Sequence, residues 1–244
     1  SPKGKRFSFD GPEGWVGLMS PLMPCHYFVH SVGSRCSYCI RKFNLLQAEH
    51  SATNTSMFSK ALSFFEISVE LSGAGFAHIE GNHGTAFPVG WIWSQGIAVN
   101  NTASYSLALG KFTIAGMTPT NCILYLRRAN NETVVIRTTD FDSANYATNA
   151  TDGTLHLTAH SALKRYHIEM TIQSPSRAES AFDVTVHVPT VNGFSKSPGC
   201  KETYTALTRI KFSDLSTRHT AIEEYSFPLS ALEYGGSFLE KINL

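Results

Sequence analysis

Apolar and polar residues alternate in short runs along most of this chain. Residues 65–71 and 166–172 are the clearest examples, because each has an apolar side chain at every second position and polar side chains between. Successive side chains of a β-strand point to opposite faces, so this period of two predicts strands with one buried face. Similar runs occur at residues 105–114, 122–127, 133–138, 154–160, 182–188, 206–212 and 219–225.

These runs predict an all-β protein. The spacing typical of helices is weak everywhere and gives a candidate only near residues 229–239. About ten strands at even spacing favour an up-and-down antiparallel β-barrel, because closure removes the exposed edges of a long open sheet. A barrel of eight or more strands can also hold one small ligand. We expect residues 1–244 to form a single barrel domain, with a long loop or flap at residues 41–60.

Composition and charge exclude two classes of partner. The chain has 20 Lys and Arg against 19 Asp and Glu, which leaves a formal charge of +1. This balance lacks the one-signed field that attracts nucleic acid. No window approaches the roughly 18 consecutive apolar residues of a membrane span. We therefore expect no nucleic acid and no membrane span, and the oligomeric state stays open.

The cysteines and glycosylation triplets change this interpretation little. The five cysteines are an odd number spread over a long chain, unlike a disulfide-rich scaffold, and they are Cys25, Cys36, Cys39, Cys122 and Cys200. Cys36-x-x-Cys39 could bind zinc together with Cys25 and His26 or His30, but that first pair lacks the paired spacing of zinc ribbons, so we expect no metal site. Four Asn-x-Ser/Thr triplets would suit a secretory compartment, and they begin at Asn54, Asn100, Asn131 and Asn149.

Candidate chemistry is concentrated between residues 78 and 95, His-Ile-Glu-Gly-Asn-His-Gly-Thr-Ala-Phe-Pro-Val-Gly-Trp-Ile-Trp-Ser-Gln. Its glycines and proline predict a turn-rich connection that carries Glu80, Asn82 and His83. A strand follows, and on it three side chains share one face because they are two residues apart. These are Trp91, Trp93 and Gln95. We expect this face to point into the barrel, beside a cavity.

This segment resembles the tocopherol cyclase family, whose members carry Glu-Lys-Asn/Asp-Trp-Gly-x-x-Phe-Pro-x-x-(aromatic)-x-Trp-x-Gln. Eight residues fall in register with that pattern, namely Glu80, Asn82, Gly84, Phe87, Pro88, Trp91, Trp93 and Gln95. Gly81 stands at the usual Lys position and His83 at the usual Trp position. Gly14-Trp15 and Met23-Pro24-Cys25-His26 look like a region that precedes the family motif, and residues 232–236 fit it loosely. The match corresponds to the C-terminal half of the plant enzymes.

The resemblance implies a lipocalin-like antiparallel β-barrel with an internal apolar cavity, in which a prenylated quinol is cyclised without a cofactor. Such a reaction needs a proton for an alkene and a phenol oxygen held near the resulting cation. A carboxylic acid kept neutral by burial suits the first task, and Glu80 is the candidate. Asn82 and His83 complete the expected catalytic group, and Asn82 or Gln95 would hold the oxygen. The expected contacts to the hydrophobic substrate are Trp91, Trp93, Gln95, Phe87, Trp15 and His26, with indole faces stabilising the cation.

Each of these residues also has a structural interpretation. Trp91 and Trp93 could fill a packed core, Glu80 could cap a turn, and His83 could lie on the surface. A non-catalytic lipocalin-like carrier of a hydrophobic molecule would use the same cavity, whereas a surface interaction module would need no cavity. A buried ionisable residue facing the ligand favours an acid-catalysed cyclase over a carrier. A pericyclic ring closure of a prenylated, terpenoid or polyketide molecule would need fewer polar groups than proton-driven cyclisation, and the sequence does not separate the two reactions.

Overall fold

The computed structural model describes residues 25–45, 65–84, 86–100, 102–113, 116–161, 163–175, 184–190, 192–196, 199–216 and 221–242. For residues 40–45, 65–70, 83 and 221 the description covers the backbone alone. Trp15 and the side chain of His83 therefore lie outside the described part of the chain, and so does most of the expected flap.

Within the described residues the protein is built almost entirely of strands. In chain order they are β1 (Cys25–Leu45), β2 (Phe65–Gly84), β3 (Gly90–Ile97), β4 (Ser104–Lys111), β5 (Thr120–Arg127), β6 (Thr133–Arg137), β7 (Ser143–Thr148), β8 (Leu155–Ser161), β9 (Tyr166–Gln173), β10 (Val184–Val186), β11 (Pro189–Thr190), β12 (Gly193–Phe194), β13 (Cys200–Asp214) and β14 (Ala221–Gly236). Short 3-10 turns occur at Thr138–Asp140 and Leu239–Lys241. In this part of the chain, no helix has the length and apolar character needed to cross a membrane.

The strands form a nearly closed antiparallel β-barrel, which confirms the predicted fold class. Its sheet has ten strands, and its main path runs β6-β5-β4-β3-β14-β13-β9-β8-β7, with β10 added beside β13. Neighbours on the path are consecutive in the chain except where β13 joins β9 and where β14 joins β3. The pairing of β14 with β3 joins the last strand of this sheet in chain order to the first. The two ends of the path, β6 and β7, remain unpaired with each other among the described residues.

One face of this sheet packs into the barrel core. Its side chains alternate with outward-facing residues, as the period of two predicted. Large members of the core cluster include Ile92, Leu107, Leu124, Ile136, Leu157, Ile168, Phe212, Phe227, Leu232 and Tyr234. Because every strand on the main path except β7 contributes buried residues to this cluster, burial of apolar surface holds the barrel together.

Two expected elements differ from the structure. The candidate helix at 229–239 is wrong, since β14 continues to Gly236 and buries Leu232 and Tyr234 on the core face. These residues are two apart, so both side chains point to the same face of a strand. Pairing of β14 with two neighbouring strands outweighs the weak helical spacing. Residues 41–45, expected to begin the loop, belong to β1, and the rest of the expected loop lies outside the described residues.

The chain divides into two compact units. Ser34–Ala77 form the smaller one, and Ser1–Gly33 with His78–Leu244 form the larger one, which includes the barrel. The smaller unit contains the distal parts of β1 and β2, where Gly73 leaves room for the Tyr38 ring. In the larger unit, the beginning of β1 and the end of β2 contact the barrel through Tyr27 and Glu80, which bond to Ser106 and Trp93 respectively.

Candidate functional site

A cavity of about 350 Å³ lies against the outer face of β3, β4, β5, β13 and β14. The beginning of β1, the end of β2 and residues 186–189 enclose it. On β3, Ile92 and Ser94 are buried on the core face, while Trp91 and Trp93 point the other way and line the cavity. The predicted shared face is therefore real, but its expected direction into the barrel is wrong. Apolar residues on both sides of β3 indicate a strand covered on both faces.

Strand register places the acidic and aromatic side chains in one row across the outer face. Trp93 pairs with Ala108 on β4 and with Glu233 on β14, and Glu233 pairs with Glu202 on β13. All four residues line the cavity. Directly opposite residues on antiparallel strands bring their Cβ atoms to roughly 5 Å, so the row is continuous.

A second row provides space for the aromatic rings. Trp91 pairs with Gly110 on β4 and with Gly235 on β14, and Gly235 pairs with Cys200 on β13. A Cβ at position 235 would overlap the indole of Trp91, so the missing side chain lets this ring lie across β14. From there the indole N–H donates to Glu233, and the Phe87 ring packs on Trp91 with centroids 5.3 Å apart.

Glu80 lies on β2 and not in a turn, which corrects both the predicted connection and the turn-capping interpretation. Gly81 beside it accommodates the Phe28 ring, with a hypothetical Cβ only 3.1 Å from that ring. Three donors converge on Glu80 Oε2: the Tyr27 hydroxyl at 2.6 Å, His78 Nε2 at 2.7 Å and Trp93 Nε1 at 3.0 Å.

These donors decide the protonation state of Glu80. Desolvation by burial raises the pKa of its carboxyl, but the hydrogen bonds from His78, Tyr27 and Trp93 outweigh that effect and hold the pKa below its usual value. The expected neutral acid at Glu80 is therefore wrong, because the site stabilises the carboxylate. Burial and the neighbouring Glu80 charge in turn raise the pKa of Tyr27 well above its ordinary value, so Tyr27 remains a donor.

His78 supports Glu80 from the same face of β2. Its side chain is only 6% exposed, and its Nδ1 has no hydrogen-bond partner within the described residues. With Nε2 directed at Glu80, an imidazole in this place stabilises the negative charge whether it is neutral or protonated.

Glu233 has the opposite electrostatic setting. Desolvation raises the pKa of its carboxyl, the negative charges of Glu202 and Glu80 raise it further, and the hydrogen bonds from Trp91 and Cys200 only partly offset these effects. Glu233 thus retains a proton at higher pH than an ordinary glutamate. Of the two glutamates, Glu233 is therefore the one whose surroundings favour the neutral acid that was expected at Glu80.

Glu202 and Cys200 complete the acidic side of the cavity. Burial raises the pKa of Glu202, which is 8% exposed. Burial, with Glu233 and Glu202 beside it, raises the pKa of the Cys200 thiol to about 12, so this thiol stays neutral at physiological pH.

Most of the remaining lining is apolar. It consists largely of Phe87, Pro88, Ala108, Phe112, Ile123, Val186, Val188 and Pro189. Among the described lining residues there is no lysine or arginine. A carboxylate ligand would meet three glutamates without a lysine or arginine to pair with, whereas a neutral ligand or a transient cation would be accommodated.

The other expected site residues fall into three groups. Asn82 and Phe87 line the cavity. His26 and Gln95 are absent from its described lining, since His26 precedes Tyr27 and points to the other side of β1, and the Gln95 Oε1 is buried without a partner in the described structure. Trp15 and the His83 side chain stay untested predictions.

Tyr27, His78, Glu202 and Glu233 were not selected from the sequence. Residues 232–236 had a loose likeness to the family pattern, and Glu233 between the apolar Leu232 and Tyr234 marks an outward position on a strand. What the sequence could not provide was the pairing of β14 with β3 that brings Glu233 beside Trp93. No group of three or more metal-ligating side chains occurs among the residues the structure describes.

Comparison with known proteins gives little further identification. No protein-family profile matches the chain, and no curated protein matches it. Among solved structures, the chain is similar to kievitone hydratase from Nectria haematococca, with a TM-score of 0.40 and 11% sequence identity. The likeness covers 72% of this chain and 48% of that one, so it spans about half the length of the hydratase. A likeness at this level carries no argument about family or function.

Proposed function

We propose that the protein is a cofactor-independent cyclase that closes a ring in a neutral, hydrophobic phenol bearing an alkene. One observation carries the proposal: two glutamates line the same cavity, and their surroundings move their pKa values in opposite directions. Such a pair is the pattern expected of an acid and a base that work together. The resemblance of residues 80–95 to tocopherol cyclases supports the same reaction class.

The proton steps follow from this pair. The Glu233 carboxylic acid donates its proton to one alkene carbon, and the other alkene carbon becomes cationic. The phenol oxygen attacks that carbon and forms the C–O bond, while its O–H bond breaks and the proton passes to the Glu80 carboxylate. Product and substrate have the same atoms, and solvent exchange returns the proton from Glu80 to Glu233.

The surroundings of the pair assist these steps. The faces of Trp91 and Trp93 lie beside the cavity, where they can stabilise a positive carbon. Their indole N–H groups are used to hold Glu233 and Glu80, so both tryptophans also fix the directions of the two carboxyls. The apolar lining favours a folded conformer and limits the water that would otherwise trap the cation.

The second candidate is a carrier of a neutral hydrophobic molecule, and the apolar lining favours it. Three glutamates in the cavity argue against it, because a carrier gains nothing from buried carboxyls. The absence of lysine and arginine from the described lining also makes fatty acids poor cargo. A pericyclic cyclase would share the cavity but leave the two carboxyls without a role.

Turnover in deuterated water separates these three possibilities. Hydroquinones bearing prenyl chains of increasing length are incubated with the protein, and products are analysed by chromatography and mass spectrometry. We expect a cyclised isomer of unchanged mass in H2O and one carbon-bound deuterium per product in D2O. Chains that fit about 350 Å³ should react best.

Each other outcome contradicts the proposal in a specific way. An isomer without deuterium would indicate a pericyclic reaction. Substrate that co-purifies with the protein on a sizing column and is recovered unchanged would indicate a carrier. If the protein neither binds nor converts any of the hydroquinones, this class of substrate is excluded.

A further inference from the structure

We propose that Glu202 is a positioning residue that keeps the proton on Glu233, so that the acid of the cavity is ready to donate. Glu202 itself need not touch the substrate. The inference rests on the proposed function for the role it gives to Glu233, but its first test needs no turnover.

The geometry that carries the inference is the ladder between β13 and β14. Glu202 and Glu233 are direct register partners there, and both side chains line the cavity. Residues directly opposite on antiparallel strands have Cβ atoms roughly 5 Å apart, and like charges at such positions destabilise each other. Since Glu202 is 8% exposed, water screens this repulsion weakly. The two carboxyls therefore favour a state in which they share one proton.

Their hydrogen-bond partners suggest how the proton is divided. The Tyr204 hydroxyl bonds to Glu202 and stabilises charge on it. Charge on Glu202 then favours the neutral form of Glu233, which faces the apolar lining.

Other groups around Glu233 act less directly. Glu80 on β2 adds negative charge in the same sense, but three donors already stabilise it. Cys200 on β13 stays a neutral thiol, and Trp91 on β3 donates to Glu233. The remaining titratable groups of the lining are Cys25 and Tyr27 on β1 and His187 after β10, and His187 Nδ1 lies 2.6 Å from the Ser195 carbonyl oxygen.

The first test uses the indole of Trp91 as a reporter. Its N–H donates to Glu233, so the ¹H–¹⁵N signal of this indole should move as Glu233 ionises. The signal is assigned by its loss in Trp91→Phe and followed from pH 4 to 9. In Glu202→Gln we expect the titration midpoint to fall by about one pH unit or more. Glu224→Gln removes the same charge from an exposed site on β14 and should leave the midpoint unchanged.

A second variant and an activity profile complete the test. Glu202→Asp keeps the charge and should keep the midpoint close to that of the unchanged protein. This variant still tests the inference if Glu202→Gln does not fold. Three results would overturn the inference. They are an unchanged midpoint in Glu202→Gln, an equal shift of the midpoint in Glu224→Gln, and a midpoint in Glu202→Asp that falls as far as the one expected in Glu202→Gln. The alkaline limit of kcat should move with the midpoint, while KM stays nearly constant. A moved midpoint without any turnover would retain the Glu202–Glu233 coupling and reject the cyclase.

Discussion

The two ends of the β13–β14 ladder carry opposite arrangements of charge on the outer face of the same barrel. At one end Glu202 faces Glu233, under the cover of the segments that enclose the cavity. At the other end Lys211 lies between Glu169 on β9 and Glu224 on β14, and the two glutamates are exposed to solvent. We call these the covered end and the open end.

The open end follows the ordinary rule for strand pairs, in which opposite charges face each other in water. The covered end breaks that rule, because two carboxyls with raised pKa values stand side by side away from solvent. Between them the register of β13 and β14 shifts at residues 203–208. A local arrangement that opposes stability, placed beside a cavity, is typical of a functional site.

The largest expected effect is on turnover and should be confined to the covered end. Glu233→Gln preserves shape but removes the proton, so kcat for the converted hydroquinone should fall by roughly two to four orders of magnitude. Glu224→Gln at the open end should leave kcat unchanged. Steady-state kinetics on both variants, with folding checked by circular dichroism, measures the difference. Retained activity in Glu233→Gln would end its role as the acid.

A steric change should also distinguish the two ends. Gly235→Ala places a Cβ where the Trp91 indole lies, so the ring must move and we expect the free energy of unfolding to fall by about 1–3 kcal/mol. Ser226→Ala, at an exposed position on the same strand, should change it by less than about 0.5 kcal/mol. Urea denaturation measures both values. Equal losses in the two variants would mean that the Trp91 ring is not held across Gly235.

The two cavity glutamates should shift stability with pH in opposite senses. Because the pKa of Glu80 is lowered, its stabilisation is present above the usual carboxyl pKa and is lost as pH falls through the folded value. Glu80→Gln should therefore lower the unfolding free energy by about 1–2 kcal/mol at pH 7 and by less at pH 4.

For Glu233 the sign reverses, since its pKa is raised. Its favourable contribution is complete below the usual carboxyl pKa and is lost as pH rises through the folded value. Glu233→Gln should therefore gain stability relative to the unchanged protein as pH rises from 4 to 7. Urea titrations at several pH values give both trends, and parallel trends would mean that the two carboxyls share one type of environment.

The smallest effect is expected at the open end itself. Lys211→Gln removes the positive charge between two exposed glutamates, and exposed pairs of this kind contribute about 0–1 kcal/mol. We expect a change of less than about 1 kcal/mol that vanishes in high salt. A larger, salt-independent loss in urea denaturation would show that the open end is also held by buried interactions.

The fold could be predicted from the sequence because its signal is local. Alternation marked most strands of the barrel and correctly placed Trp91, Trp93 and Gln95 on a common face. It could not say which face, since β3 carries Ile92 on one side and two tryptophans on the other, and both sides are covered. The spacing around Leu232 and Tyr234 was compatible with a weak helix, and only the pairing of β14 with two strands shows that they belong to a strand.

The site was less predictable because it depends on distant parts of the chain. Glu80 was selected correctly as a cavity residue, but of the three donors that stabilise its carboxylate only His78 and Trp93 lie within residues 78–95, and Tyr27 is 53 residues away. Glu233 meets Trp91 across 142 residues. No spacing within residues 78–95 reveals Tyr27 or Glu233, so the acid was assigned to the one glutamate in the motif.

The pairing of β14 with β3 also has a consequence for folding. It joins residues about 140 positions apart, and such long-range contacts form slowly because a large loop must close before they contribute. Until then β3 and β14 each present an unpaired edge, which is the kind of surface that captures other chains. The same event that protects these edges brings the acid to its indole partner. A chain that has not yet closed its barrel is therefore both prone to aggregation and without its candidate acid–base pair.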